Sequence, residues 1–187
     1  EAIQSIVTDS SLTAGVNFGF GYWSWDNYGS GFRSWTGDIT NGRATPCTSR
    51  ACVKVRAHKQ GAAKINSIIK SVQPGGGTNA DNWAKQAEEY YLHSTLSPID
   101  KNLTCQNSYV LVIGDGDWYN HNGAARRVSK LLNSHKIKTF TVAYGTGLSN
   151  GGVRNFNRMA QTGGTNSVIV ARTTQSLKTQ LKAAISQ

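Results

Sequence analysis

From residue 53 onward, short apolar runs alternate with longer stretches in which apolar residues recur every three or four positions. The short runs predict strands and the longer stretches predict amphipathic helices. Residues 53–56 are the first run. Residues 59–72 predict a helix with Ile65, Ile68, Ile69 and Val72 at helical spacing, stopped by Pro74-Gly-Gly-Gly77. Residues 80–95 predict another, with Trp83, Ala87, Tyr90 and Tyr91 on one face. Tyr109-Val-Leu-Val-Ile113 is apolar without alternation, the pattern of a strand covered on both faces in a parallel sheet. A helix over 123–134 follows (Ala124, Val128, Leu131, Leu132), then a strand over 137–144 and a glycine-rich loop over 145–152. A helix over 153–162 uses Val153, Phe156, Met159 and Ala160, and a strand over 167–171 leads to the last helix, 173–186. Its inward residues are Leu177, Leu181, Ala184 and Ile185, with Thr173 or Thr174 as N-cap.

Ahead of this alternation, residues 1–7 read as the end of a helix with an apolar stripe of Ala2, Ile3, Ile6 and Val7. Residues 16–25 alternate aromatic with small or polar residues and predict a strand. Residues 26–50 are rich in Gly, Ser, Thr and Asn without sustained periodicity, and read as a long loop or irregular hairpin. The 187 residues suit one domain with this insertion at 26–50. Strand–helix alternation predicts an α/β, Rossmann-like architecture, a mostly parallel central sheet with helices on both faces. The aromatic stripes are core in this reading.

Composition adds a partner class. Lys+Arg 20 against Asp+Glu 10 gives a formal charge of +10, which favours anionic partners. Charged residues are only 16% of the chain, however, and Asn, Ser, Thr, Gly and Gln carry the polar load, a surface more usual outside the cell. Cys47 and Cys52 lie close together at the end of the insertion and suit a local disulfide in an oxidising compartment. Zinc is disfavoured there, because His58 is the sole nearby histidine and no second cysteine pair exists. Cys105 reads as a buried thiol or as the partner of a cysteine in another chain. No run of 18 apolar residues exists. The chain opens inside a helix-like pattern without an initiator Met, as the interior of a longer protein would.

The candidate chemistry sits where the apolar run ends. Gly114 lets the chain turn, and Asp115 and Asp117 follow at the C-terminal end of the strand, where open α/β sheets bind ligands. Gly75–Asp81, before the next predicted helix, offers the Thr78 hydroxyl and the Asn79 amide, each of which also suits an N-cap. A hydroxyl loop and an acidic loop at one end of a sheet supply hard oxygen ligands, which suit Mg²⁺, Mn²⁺ or Ca²⁺ rather than zinc.

These residues resemble the von Willebrand factor type A (vWA) domain. Its metal-ion-dependent adhesion site uses Asp-x-Ser-x-Ser after the first strand, a Thr in a Gly-Gly-Thr turn and an Asp after an apolar fourth strand. Gly76-Gly77-Thr78-Asn79 is similar to the second of these and Val112-Ile113-Gly114-Asp115-Gly116 to the third, with Gly114 where the family usually has Thr. Phe140-Thr-Val-Ala-Tyr-Gly145 resembles the fifth strand. Phe156-Asn-Arg-Met-Ala160, followed by Gly163-Gly164, resembles the helix and turn before the last strand. Within the family, the Phe-Gly-Phe-Gly-Tyr-Trp strand, the cysteine-bearing insertion and Cys105-Gln-Asn-Ser-Tyr109 are most like the PilY-type adhesins of bacterial type IV pili.

The resemblance implies an extracellular, cell-surface or pilus-tip binding module rather than an enzyme. It implies a divalent cation held by Thr78 and Asp115, with Asn79 and Asp117 as accessory residues, and a partner that presents a carboxylate. Pilus components are further implied partners. No Asp-x-Ser-x-Ser occurs, since Asp9-Ser10-Ser11 has the wrong spacing. The resemblance therefore implies that the first, central strand is missing between the strands at 16–25 and 109–113, and that an upstream segment completes the sheet.

Two other functions compete. A metal-dependent hydrolase on a Rossmann-like sheet would use Asp115 and Asp117. Against it, no nucleophile–base pair with a supporting motif is present, and His121, the only histidine near the acids, reads as a solvated loop residue. A nucleic-acid-binding domain would use Arg126, Arg127, Lys130, Lys136 and Lys138, without a recognised motif to accompany them.

Overall fold

The computed structural model describes residues 1–23, 52–71 and 79–185. Cys47, Thr78 and the insertion at 26–50 lie outside these residues, so the expected disulfide and the Thr78 ligand position do too. In order, the elements are α1 (Ala2–Val7), α2 (Ser10–Thr13), β1 (Phe18–Tyr22), β2 (Cys52–His58) and α3 (Gly61–Ile68). They continue with α4 (Ala80–Tyr91), β3 (Tyr109–Gly114), α5 (His121–His135), β4 (Lys138–Tyr144), α6 (Asn150–Thr162), β5 (Ile169–Ala171) and α7 (Thr174–Ile185).

The strands form two groups. β3, β4 and β5 make a parallel sheet in that order, with Tyr109 opposite Lys138 and Val142 opposite Ile169. β1 and β2 make an antiparallel ribbon, with Gly21 opposite Val53. Among the described residues no strand pairing joins β1 to β3. The α/β class and parallel sheet agree with the sequence pattern. The expectation that β3 is covered on both faces does not hold at its start, where Tyr109 is 41% and Leu111 36% exposed; its one unpaired edge is a separate feature.

Three apolar clusters hold the elements together. On one face of the sheet, Val112 and Ala143 pack with Ala80, Trp83 and Ala84 of α4, Ala124 and Val128 of α5, and Phe156 and Met159 of α6. On the other, Val142, Ile169 and Ala171 pack with Leu177 and Leu181 of α7 and with Ala2 and Ile6 of α1. Val55 of β2, Ile65 of α3 and Val7 of α1 form the third. Helix α1 thus serves two clusters, and Phe18 borders both.

Element ends follow local chemistry. Asp9 caps α2, accepting from the Ser11 N–H and hydroxyl, and reaches Lys178 and Lys182 of α7. α4 stops at Tyr91, short of residue 95, where the His93 ring accepts the N–H groups of Thr95 and Leu96 and turns the chain. α5 starts at His121, whose ring Nδ1 is buried without a partner, so His121 is a helix residue rather than a solvated loop residue. α6 starts at Asn150, because the Ser149 hydroxyl accepts the Gly152 N–H and draws the glycine pair into the first turn. Thr173 is the residue that caps α7, accepting from the Ser176 N–H.

Candidate functional site

The end of β3 is built by packing before it is built by charge. Trp118 is 4% exposed and stacks on Phe156 with ring centroids 3.6 Å apart, while Trp83 meets Trp118 at 5.5 Å. A Cβ on Gly114 would come within 2.8 Å of the Phe156 ring and 3.2 Å of the Trp118 indole nitrogen. Glycine therefore stands where the resembled motif has threonine because two aromatic rings occupy the side-chain space.

Beyond Gly114 the two acids separate. Asp115 is exposed, and among the described residues its carboxylate forms no hydrogen bond or ion pair. Asp117 turns back to α6: its carboxylate accepts the Ser149 N–H at 3.0 Å and the Ser149 hydroxyl at 2.5 Å. A Cβ at Gly152 would collide with this carboxylate, so the acid lies directly against the first turn of the helix. Negative charge there also complements the positive end of the helix dipole. The Asp117 carboxylate is thus tied to the start of α6 by two hydrogen bonds.

The loop then crosses to α4. Asn79 and Tyr119 form a parallel bridge, and the Ala80 N–H donates to the Tyr119 carbonyl at 2.9 Å. The described end of the first loop, Asn79 to Asp81, is thus side by side with the loop after β3 at one end of the sheet. Asn79 is 4% exposed, and its side-chain oxygen accepts the Asp81 N–H at 3.1 Å as the N-cap of α4. Its amide is committed to the helix in the way the capping reading requires.

Hard oxygen ligands for a divalent cation are few here. Among the described residues no cluster of three His, Cys, Asp or Glu side chains forms. Asp115 alone, of the four predicted residues, is described with an uncommitted oxygen donor, and this fits a cation that keeps several waters.

A separate ionic network lies on the outer surface of α4 and α5. The Arg127 guanidinium donates to Asp81 at 2.8 Å and to Glu88 at 2.5 Å, and Lys130 reaches Glu88 at 2.6 Å. Burial raises the Glu88 pKa, but the hydrogen bonds from Lys130 and Arg127 outweigh it and leave the carboxyl below its ordinary value. These groups line a cleft of about 200 Å³ with Gly123 and Arg126. Two of the five cations proposed for a nucleic-acid patch, Arg127 and Lys130, are thereby engaged within the protein.

The sequence missed Ser149 and Trp118 as parts of this site. Ser149 ahead of Asn150-Gly-Gly152 reads as loop, although a serine three residues before a helical N–H is a capping signal. Trp118 reads as another core aromatic until Gly114 is seen beneath it.

Comparison with protein-family models gives no match, and neither does comparison with curated proteins. Among solved structures, the chain is similar to the von Willebrand factor type A protein from Catenulispora acidiphila, with a TM-score of 0.59 and 13% identity. That match covers 97% of this chain and 36% of the other, so the chain spans about a third of the length of the protein it matches. Proximal thread matrix protein 1 from the mussel byssus matches at a TM-score of 0.45 and 18% identity, over 73% of this chain and 31% of that one. The second likeness is too distant to carry an argument. The first, together with the parallel sheet flanked by helices, establishes the fold: a Rossmann-like α/β arrangement similar to that of the von Willebrand factor type A protein.

Proposed function

We propose that this chain is a ligand-binding module that recruits a carboxylate of a partner protein or surface through a divalent cation. Asp115 and Thr78 would hold the ion, Mg²⁺ or alternatively Ca²⁺ or Mn²⁺, with water filling most of its coordination positions. One observation supports this reading: the Asn79–Tyr119 bridge brings Asn79, the residue after Thr78 in sequence, to the loop that carries an uncommitted Asp115 carboxylate. Such a cation supplies an open position for an acidic ligand. The residues of this chain supply one anionic anchor and the loop backbone that orients it.

The module is read as non-enzymatic, extracellular and of the surface or pilus-tip class, with pilus components as partners and the Cys47–Cys52 disulfide as its companion feature. The polar, weakly charged composition supports this setting. The hydrolase alternative needs a second carboxylate beside Asp115, and Asp117 is bound to Ser149 instead.

Calorimetric titration with Mn²⁺ and Mg²⁺ tests the assignment. Weak, exchangeable binding is expected, lost in Asp115→Ala without a change in melting temperature. Equal affinity in the variant would remove Asp115 from the site.

A further inference from the structure

We infer that Asn102, on the long connection between α4 and β3, is the acceptor of an N-linked glycan. Asn102-Leu103-Thr104 places a hydroxyl residue two positions after an asparagine with no proline between them, the pattern that N-linked transfer requires. No other asparagine in the chain has Ser or Thr two residues on. A glycan there presupposes an exported chain, as the proposed function does, but it does not require Asp115 to bind a cation.

The fold presents this triplet where a bulky polar group can be carried. Residues 92–108 join α4 to β3 without a helix or strand, and connections of this length are usually functional. The base of the loop is fixed by one side chain. The Gln106 oxygen accepts the Asp100 N–H at 2.7 Å, and the Gln106 amide donates to the Pro98 carbonyl at 2.8 Å. Between these anchor points Lys101, Asn102, Leu103, Thr104 and Cys105 are all exposed, Leu103 at 60%. Leu103 joins none of the three apolar clusters, so an addition to its neighbour displaces no core.

The reacting groups are accessible. Asp100 Oδ1 accepts the Asn102 backbone N–H at 2.9 Å and the side-chain amide at 3.1 Å. These bonds are local and exposed, so water competes for them and the amide can be released to a transferase. The Thr104 hydroxyl meets the Cys105 sulfur at 3.7 Å, a weak contact that leaves it open to recognition. In the transfer, Asn102 Nδ2 attacks the anomeric carbon of a sugar carried on a polyprenyl pyrophosphate. A C–N bond forms and the C–O bond to pyrophosphate breaks, its electron pair leaving with the pyrophosphate. One Nδ2 proton passes to a base of the oligosaccharyltransferase, and nothing is oxidised or reduced. β3 then runs for about 20 Å before Asp115, so the glycan leaves access to that end of the sheet open.

The test isolates the full chain from the cells that produce it, reads its location by fractionation, and maps the peptide containing Asn102 by mass. That peptide is expected to carry a glycan, and amidase release should leave a carboxylic acid at position 102. Asn102→Gln and Thr104→Ala should carry none, whereas Thr104→Ser should retain it. All three substitutions are at exposed positions, so circular dichroism should be unchanged. An exported chain with an unmodified Asn102 would overturn the inference alone. A glycan that persists on this peptide in Thr104→Ala would also overturn it, because the attachment would then not depend on the triplet. A chain retained in the cytoplasm with Asn102 unmodified would overturn both the inference and the extracellular setting.

Discussion

Asp117 accepts both the backbone N–H and the hydroxyl of Ser149, joining the loop after β3 to the first turn of α6. Two acids separated by one glycine thus have different tasks. Asp115 is open to solvent, and Asp117 is a latch.

Asp117→Ala should cost about 1–2 kcal/mol, the range for a lost helix-terminal hydrogen bond of this kind. Amide exchange at the start of α6 should accelerate. Cation affinity should remain within about twofold of the parent, since a fall as large as that in Asp115→Ala (1.4 kcal/mol per tenfold) would make both acids ligands.

Gly114→Thr restores the residue usual in the resembled motif, yet it should destabilise the domain by about 1–3 kcal/mol through overpacking. The opposing atoms are the Phe156 ring and the Trp118 indole. Denaturant unfolding of Gly114→Thr, Trp118→Ala and the double variant should reveal a favourable coupling between the two substitutions. Simple additivity would mean that the ring does not oppose the threonine.

Asp9 offers a pH test. The Ser11 hydroxyl, assisted by Lys182 and the Ser11 N–H and opposed by burial, holds its carboxyl at about 2 against an ordinary 3.8. A depressed folded-state pKa stabilises above the unfolded value and loses that contribution as acidification passes through the folded value. The contribution of Asp9 should therefore be complete above pH 3.8 and disappear as pH falls towards 2. Asp9→Asn should flatten the stability profile in that window and nowhere else. An identical profile for the variant would exclude Asp9 as its source.

Cys105 is an exposed free thiol. Labelling the unreduced protein with a thiol reagent should modify Cys105 alone if Cys47 and Cys52 are bonded to each other. Modification of all three would rule out the disulfide and remove one support for an oxidising location.

The long periodic segments were legible because one apolar face decides them. α4, α5 and β4 fall where Trp83, Val128 and Val142 point to a core. Short or irregular features depended on contacts distant in sequence. α2 has four residues and exists around the Asp9 cap, which the sequence reading treated only as a failed metal motif. The Gly151-Gly152 pair concealed the first turn of α6, which Ser149 and Asp117 fix. The uninterrupted run in β3 correctly gave a strand, but its neighbours on each side are not written in its own pattern. Asn79 was a ligand candidate and a cap candidate at once, and only its hydrogen bond to Asp81 distinguishes them.

Helix α1 has six residues, yet its Ile6 and Val7 face different apolar clusters. With α4 on the opposite face and Phe18 bordering both clusters, it fastens a seam that no strand pairing crosses among the described residues. Because the apolar clusters of the two parts meet through α1 and Phe18 rather than through strand pairing, the β1–β2–α3 part and the β3–β4–β5 part can act as separate cooperative units. A ligand that spans the line would join these units and convert two local stabilities into one.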